Sequence, residues 1–310
     1  MELKEKILSI VTPTRGNFSD YWLEQLLAVK GNVEFILVYP PNEIVKPFYD
    51  PRLKVIHSSF KGETIQRMTG ILNTSGKYIL ALDDDDFVHP DVLKFTSEYF
   101  QKNPHSWVLR LNKKNISYLD EETIKSDWGK LPEISEMEIV KGRNKSDREQ
   151  TLREIPIAPL ENKFKISAFW PYTKRTDHKG PHIENFNNKV WRTEMVKKSL
   201  FELSNTMKLA DPITWLPFWS LDRLLGLFLQ AQYYQKDICV GHWLPEPEQI
   251  RYISKPYSLK ETRVIFPADA LLVRKFPQYG YFWNLFFNEL YNGLKTTIKK
   301  KLSYIKHEKM

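Results

Sequence analysis

Four consecutive carboxylates, Asp83-Asp84-Asp85-Asp86, follow the apolar run Tyr78-Ile79-Leu80-Ala81-Leu82. Side by side they repel one another, and at least one pKa rises unless a cation is present. The cation that suits such a set is hard and takes oxygen ligands, Mn²⁺ or Mg²⁺. Such a metal takes one or two carboxylates together with substrate phosphates. The chemistry implied is a diphosphate-bearing substrate held through a metal. The competing reading is a solvated acidic loop or a helix start, where carboxylates favour the N-terminal dipole. Asp84 and Asp86 fit that reading too. The place of the run, at the end of a buried strand, favours the metal.

Other reactive side chains offer less. The single cysteine, Cys239, excludes an internal disulfide and a zinc site built from cysteines. His178 and His182 have helical metal spacing, but Gly180-Pro181 breaks a helix between them, which argues against zinc. His242 reads as a structural histidine in preference to a phosphate or metal ligand.

The elements that must position the aspartates follow from hydrophobic pattern. Ile7-Leu8-Ser9-Ile10-Val11 predicts a buried strand, ended by Thr12-Pro13-Thr14-Arg15-Gly16. Ser19 caps a helix carrying Trp22, Leu23, Leu26 and Leu27. Val33 to Tyr39 and Leu53 to His57 read as strands, Thr64 to Asn73 as a helix, and Tyr78 to Leu82 as a fourth strand. Pro90 opens a further helix. This alternation predicts an α/β fold with a parallel sheet covered on both faces, whose ligands bind beyond the carboxyl ends of the strands. Residues 112–180 lose the pattern and read as an inserted loop and strand region on the acceptor side. Pattern returns at Asn185 to Leu203 and in the apolar helix Leu221 to Gln232.

The segments Ile7 to Gly16 and Gly62 to Asp91 resemble family 2 glycosyltransferases of the GT-A fold. Those chains open with a strand leading to Pro-Thr and a polar loop, as in Val11-Thr12-Pro13-Thr14-Arg15-Gly16. They later carry a helix, a small-residue turn, a strand and Asp-x-Asp, matched here from Gln66 through Ser75-Gly76 to Asp83-Asp84-Asp85. The resemblance implies a Rossmann-like, mostly parallel central sheet flanked by helices. It implies a hexosyltransferase-like enzyme that moves a sugar from a nucleotide-sugar donor to a hydroxyl of a glycan or lipid-linked glycan. By the match, Asp83 lies near the ribose or uridine, Asp85 holds Mn²⁺ or Mg²⁺, and Asp86 assists. Pro13, Thr14, Arg15, Asn42, Arg67 and Asp84 then belong to the donor side, with Arg15 and Arg67 either on a phosphate or simply at the surface. Asn188 to Met195 resembles the family's strand-to-helix segment near the acceptor. Leu221-Asp222-Arg223 resembles its acid-bearing helix start, which makes Asp222 the general base of an inverting transfer. Asp222 as a cap or ion-pair partner, and Asp211 as the base, stand as alternatives. After the second strand the family carries aspartates that read the nucleotide, whereas this chain has Tyr39-Pro40-Pro41-Asn42-Glu43.

The chain of 310 residues holds 46 Lys+Arg against 38 Asp+Glu, a net charge of +8 that favours anionic partners. A glycosyltransferase domain is expected over residues 1–275 and an aromatic, then basic, helical tail over 276–310. That tail, with Lys295, Lys299, Lys300, Lys301, Lys306 and Lys309, suits either packing on the domain or peripheral contact with an anionic bilayer. No run of about 18 apolar residues exists to span one. The N-terminus lacks an apolar signal region, so the expected location is cytoplasmic, or peripheral at the inner face of a membrane. A nucleotidyltransferase, or a donor-binding protein of the same fold, is the second reading. A basic nucleic-acid-binding protein is the third; four aspartates in the cleft argue against it, and no nucleic acid is expected.

Overall fold

The computed structural model describes residues 7–131, 133–141, 151–164, 177, 180, 182–207, 218–254 and 266–307. The first four strands are β1 (Leu8–Pro13), β2 (Val33–Tyr39), β3 (Leu53–His57) and β4 (Tyr78–Ala81). They pair in parallel in the order β3-β2-β1-β4, with Leu8 opposite both Val33 and Tyr78. Every residue of β1, β2 and β4 is buried, as continuous apolar runs require when both faces of a sheet are covered.

The two faces feed two cores. Val11, Ile36, Val38, Ile79 and Ala81 pack towards α2 (Glu63–Leu72), α5 (Thr193–Met207) and α6 (Phe218–Gln232). Ile10, Phe35, Leu37 and Leu80 pack towards α1 (Asp20–Leu27) and α3 (Val92–Lys102). Ser19 caps α1, its hydroxyl accepting from the Trp22 N–H at 3.1 Å. Helix α2 lies close on the sheet because Gly70 faces it: a Cβ there would stand 2.3 Å from Val11 Cγ1.

Beyond β4 the sheet is mixed. β10 (Lys189–Arg192) runs antiparallel between β4 and β6 (Val108–Arg110). β11 (Cys239–Trp243) lies parallel to β6, followed by β9 (Thr151–Pro156) and β8 (Glu138–Val140). The nine-stranded result is mostly parallel. Strand-helix alternation cannot anticipate β10, whose four residues are threaded in from a loop that crosses the end of β4. A small second sheet joins β5 (Phe87–Val88), β12 (Ile250–Ser254) and β7 (Lys113–Ser117), so residues 112–180 contribute strands to both sheets. The short helix α4 (Glu121–Lys125) follows β7.

At the C-terminal side, α7 (Phe266–Lys275) precedes α8 (Gly280–His307). The first turns of α8 enter the core: Tyr281, Phe282 and Leu285 are fully buried. Arg223 of α6 pairs with the buried Asp269 of α7 at 2.5 Å. Lys295 is exposed. Among the described residues no helix is long and apolar enough to cross a membrane. Trp170, Tyr172, His178, Asp211 and Lys309 lie outside the described residues, as do the side chains of Lys299, Lys300, Lys301 and Lys306.

Candidate functional site

The chain leaves β4 at Ala81, and Leu82 still bonds to β1 through the Val11 carbonyl at 3.0 Å. Asp83 to Asp86 then turn back, the Asp86 N–H donating to the Asp83 carbonyl at 3.2 Å. The Trp22 indole N–H holds the turn from α1, donating to the Asp86 carbonyl at 2.9 Å.

Arg67 of α2 is buried and forms a close ion pair with Asp83. Its guanidinium also donates to Asn187 Oδ1 at 3.2 Å and to Glu63 Oε1 at 3.4 Å. Burial pushes the Glu63 carboxyl up to about 7; Arg67 opposes that rise, while Asp83 and Asp84 add to it. Arg67 is therefore an internal cation that anchors the first aspartate.

On the β1 side, Thr14 is the hinge. Its hydroxyl donates to Asp84 Oδ2 at 2.7 Å and accepts from the Gly16 N–H at 2.9 Å. Its carbonyl accepts from Gln66 Nε2 at 3.0 Å, and the same amide reaches the Val38 carbonyl at 2.6 Å. Thus α2 pins the ends of β1 and β2 with Gln66 and the end of β4 with Arg67. Pro13 is the buried last residue of β1, and Arg15 is exposed beside it. Asn42 is exposed in the left-handed region at φ 65°, in the turn after Pro40-Pro41.

Asp86 is 1% exposed. Its Oδ1 accepts from the Ile253 N–H of β12 at 3.2 Å, whereas Oδ2 is buried with no hydrogen-bond partner among the described residues. Burial pushes this carboxyl up to about 8, and the charges of Asp83 and Asp85 push in the same direction. The oxygens of the turn do not gather into a group of three ready ligands as they stand, but what the turn offers, with Asp86 Oδ2 unpartnered, is oxygen ligands alone. That fits a hard divalent cation such as Mn²⁺ or Mg²⁺.

Asp222 stands in α6. Its Oδ1 accepts from the backbone N–H groups of Phe186 at 2.8 Å and Asn187 at 2.6 Å. Helix and loop approach closely because residue 226 is glycine: a Cβ there would lie 2.4 Å from the Glu184 carbonyl. The loop then crosses the end of β4, Asn188 donating to the Ala81 carbonyl at 3.3 Å with φ 58°. One connected path therefore runs from Asp83 through Arg67 and Asn187 to Asp222. Sequence reasoning missed Glu63, Gln66 and Asn187. Only the Asn187-Asn188 pair carried a signal, as a dipeptide suited to a left-handed turn.

A different polar cluster lies against α3. Glu154, Cys239 and His242 hold their ligand-type atoms within 4.8 Å of one another. Tyr99 OH and His242 Nδ1 are 2.7 Å apart, and burial pushes His242 down to about 4. The aspartates and this cluster are separate, since His242 faces α3 from β11 and the aspartates follow β4.

Residues 40–157 match the family model described as Glycosyl transferase family 2. The fold is similar to the crystal structure of S. aureus TarS 1-349. The TM-score is 0.50 and the identity 14%, covering 88% of this chain and 66% of that one. It is equally similar to S. aureus TarS 1-349 in complex with UDP-GlcNAc, at TM-score 0.50, 14% identity, and 88% and 67% coverage. The chain thus spans about two thirds of the TarS 1-349 chain. No curated protein matches it in sequence. The α/β architecture expected from the resemblance, a large central sheet flanked by helices, is the GT-A fold of these structures.

Proposed function

We propose that this chain is a family 2 glycosyltransferase, the family whose model matches residues 40–157, and that it moves a sugar from a nucleotide-sugar donor to a hydroxyl of a glycan or lipid-linked glycan. The observation that carries this reading is the carboxylate turn at the end of β4, with a buried unpartnered oxygen on Asp86 and the Asp83 carboxylate anchored by Arg67.

Asp85 and Asp86, with Asp83 beside them, would hold Mn²⁺ or Mg²⁺. When bound, that ion supplies charge stabilisation for a departing diphosphate. The donor diphosphate lies over the carboxyl ends of β1 and β4, where Thr14 fixes Asp84 and leaves the exposed Arg15 able to meet a phosphate. The nucleotide base lies towards Tyr39 and Asn42 at the end of β2. A uridine diphosphate sugar is the donor class we favour, since the similar S. aureus TarS structure is a complex with UDP-GlcNAc.

Asp222 is the general base. Two backbone N–H groups hold its Oδ1, so the carboxylate has a fixed orientation. It takes the proton from the acceptor hydroxyl as that oxygen attacks the anomeric carbon. The bond from the anomeric carbon to the diphosphate oxygen breaks, its electron pair leaves with the nucleoside diphosphate, and the configuration inverts. The sugar passes through an oxocarbenium-like state. The basic end of α8 and the +8 net charge support a location in the cytoplasm or at the inner face of a membrane.

A thermal-shift panel of nucleoside diphosphates and nucleotide sugars, with and without Mn²⁺, tests the reading. A donor at a hundred times its Kd should stabilise the fold by about 2.7 kcal/mol. Absence of stabilisation by every nucleotide with Mn²⁺ present contradicts it.

A further inference from the structure

Strand register brings a carboxylate, a thiol and an imidazole onto one face of the sheet. His242 of β11 stands opposite Glu154 of β9, and Cys239 stands opposite Pro156. Glu154 and Pro156 are two apart and therefore share a face. Cys239 and His242 are three apart, and on a regular strand they would point to opposite faces. A bulge between Cys239 and Gly241 makes Val240 the extra residue and restores the match. Val240 packs in the core shared with α6, whereas Leu152, two residues before Glu154, packs on the α3 side. The three reactive side chains therefore belong to the α3 side. Glycine at 241 lets the bulged strand lie against β6: a Cβ there would stand 1.8 Å from the Val108 carbonyl oxygen.

The ligand-type atoms of Glu154, Cys239 and His242 lie within 4.8 Å of one another. His242 is 5% exposed, and its Nδ1 is 2.7 Å from Tyr99 OH. Tyr99 can pass its own proton to the Val108 carbonyl, 3.3 Å away. In that arrangement Nδ1 keeps the imidazole proton and donates it to Tyr99, which leaves the lone pair on Nε2. A hydrogen bond of this kind on the far nitrogen orients a metal-bound imidazole and fixes its tautomer. The Cys239 thiol donates to the Gly241 carbonyl at 3.0 Å and carries the proton that a metal would displace. Thiolate, imidazole and carboxylate together are the ligand types of Zn²⁺. Mg²⁺ and Mn²⁺ favour oxygens, so this cluster and the aspartate turn call for different ions. One cysteine cannot build a cysteine-only site, but register adds the other two ligands from two strands.

We propose that Glu154, Cys239 and His242 form a Zn²⁺ site, separate from the aspartate turn after β4, that ties β9 to β11. The ion takes Nε2 of His242, Sγ of Cys239 and a carboxylate oxygen of Glu154, with water in the fourth tetrahedral place. Ligand atoms around tetrahedral zinc stand about 3.3–3.7 Å apart, so the three draw together by about 1.5 Å at most. On binding, the S–H bond breaks, the Zn–S bond forms, and the thiol proton passes to solvent. No electron is transferred. The joined pair carries β8 at the end of the nine-stranded sheet, so the ion acts on the stability of that side of the fold. The inference is independent of the glycosyltransferase reading, since neither site supplies a residue to the other.

Cobalt gives the test its signature, since a thiolate ligand produces a sulfur-to-metal charge-transfer band that oxygen ligands do not. The full chain, stripped with chelator and kept reduced, is titrated with Co²⁺ and then with Zn²⁺. The band should saturate at one ion per chain and vanish as Zn²⁺ displaces Co²⁺, with a Zn²⁺ Kd of about 10 µM or tighter. Calorimetry in two buffers of different ionisation enthalpy should show a proton released with each ion. Mn²⁺ or Mg²⁺ in large excess should leave the band in place. Cys239→Ser should abolish the band and weaken Zn²⁺ by about a hundredfold or more, and Glu154→Gln should weaken Zn²⁺ by about tenfold with the band kept. Tyr99→Phe, which removes only the partner of Nδ1, should also cost about tenfold. Cys239 and Glu154 are half-buried, so their variants keep the test decisive if His242→Gln does not fold. Absence of the band, Zn²⁺ binding weaker than the stated Kd, or undiminished Zn²⁺ binding in a folded Cys239→Ser overturns the inference. Asp85→Ala should keep the band, and its loss there would overturn the separation of the two sites.

Discussion

Asn187 and Asp222 are locked together: the Asn187 N–H donates to Asp222 Oδ1 at 2.6 Å, while the Asn187 side chain accepts from Arg67 at 3.2 Å. Because Arg67 pairs with Asp83, the residue assigned to take the acceptor proton and the first of the four aspartates belong to one hydrogen-bonded chain. The groups proposed to serve donor and acceptor are thereby linked across the end of β4.

Substitution at Asp222 separates a base from a cap. Asp222→Asn keeps an oxygen for the Phe186 and Asn187 N–H groups but cannot take a proton. It should retain wild-type stability within about 1 kcal/mol and lose transfer by about 10²–10⁴-fold. Asp222→Ala should lose both. Transfer rates beside urea unfolding of the two variants check this; an active Asp222→Asn assigns the residue to the loop alone.

Asn187→Ala removes the amide oxygen that receives the buried Arg67 guanidinium. The expected loss is about 1–3 kcal/mol in denaturant unfolding. Transfer should fall with kcat affected more than the KM of the donor, since the displaced elements are Asp222 and its loop.

Asp86→Asn presents a neutral side chain where burial already disfavours the charge. The variant should fold at least as stably as the wild type in the absence of metal, with the Ile253 N–H still paired to an oxygen. The thermal shift produced by Mn²⁺ should shrink, because an anionic oxygen donor is gone. Calorimetry with and without the ion reads both effects.

Acid should destabilise the fold through His242, independently of the active site. Its folded pKa is pushed down to about 4, against an unfolded value near 6.5. The unfolded chain therefore binds more protons between these values, and stability falls as pH drops from about 6.5 to 4. The full effect of this one group is about 3 kcal/mol. His242→Gln should flatten that limb of the stability profile, measured by urea unfolding across the range.

Much of the fold was legible because it is written in local pattern. Val33 to Tyr39 forms one strand over the same residues that its apolar run predicts, and Ser19 caps α1 as its hydroxyl suggests. The strand before the aspartates was legible for the same reason. A strand turning into a helix at Asn188 to Met195 was expected from the resemblance and is β10 leading into α5, but its antiparallel pairing was not legible, because four residues carry too little periodicity to reveal pairing and their place depends on a loop tied to Asp222. Gln66 and Asn187 escaped notice because an amide reveals a role only through its partners, which come from residues far along the chain.

The most direct test follows nucleoside diphosphate released from a panel of nucleotide sugars, with Mn²⁺ or Mg²⁺ and with chelator, in wild type and Asp85→Ala. Release should depend on the ion, give nucleoside diphosphate and not pyrophosphate as the product, and be lost in a folded Asp85→Ala. Undiminished release by that variant, or release unaffected by chelator, contradicts it.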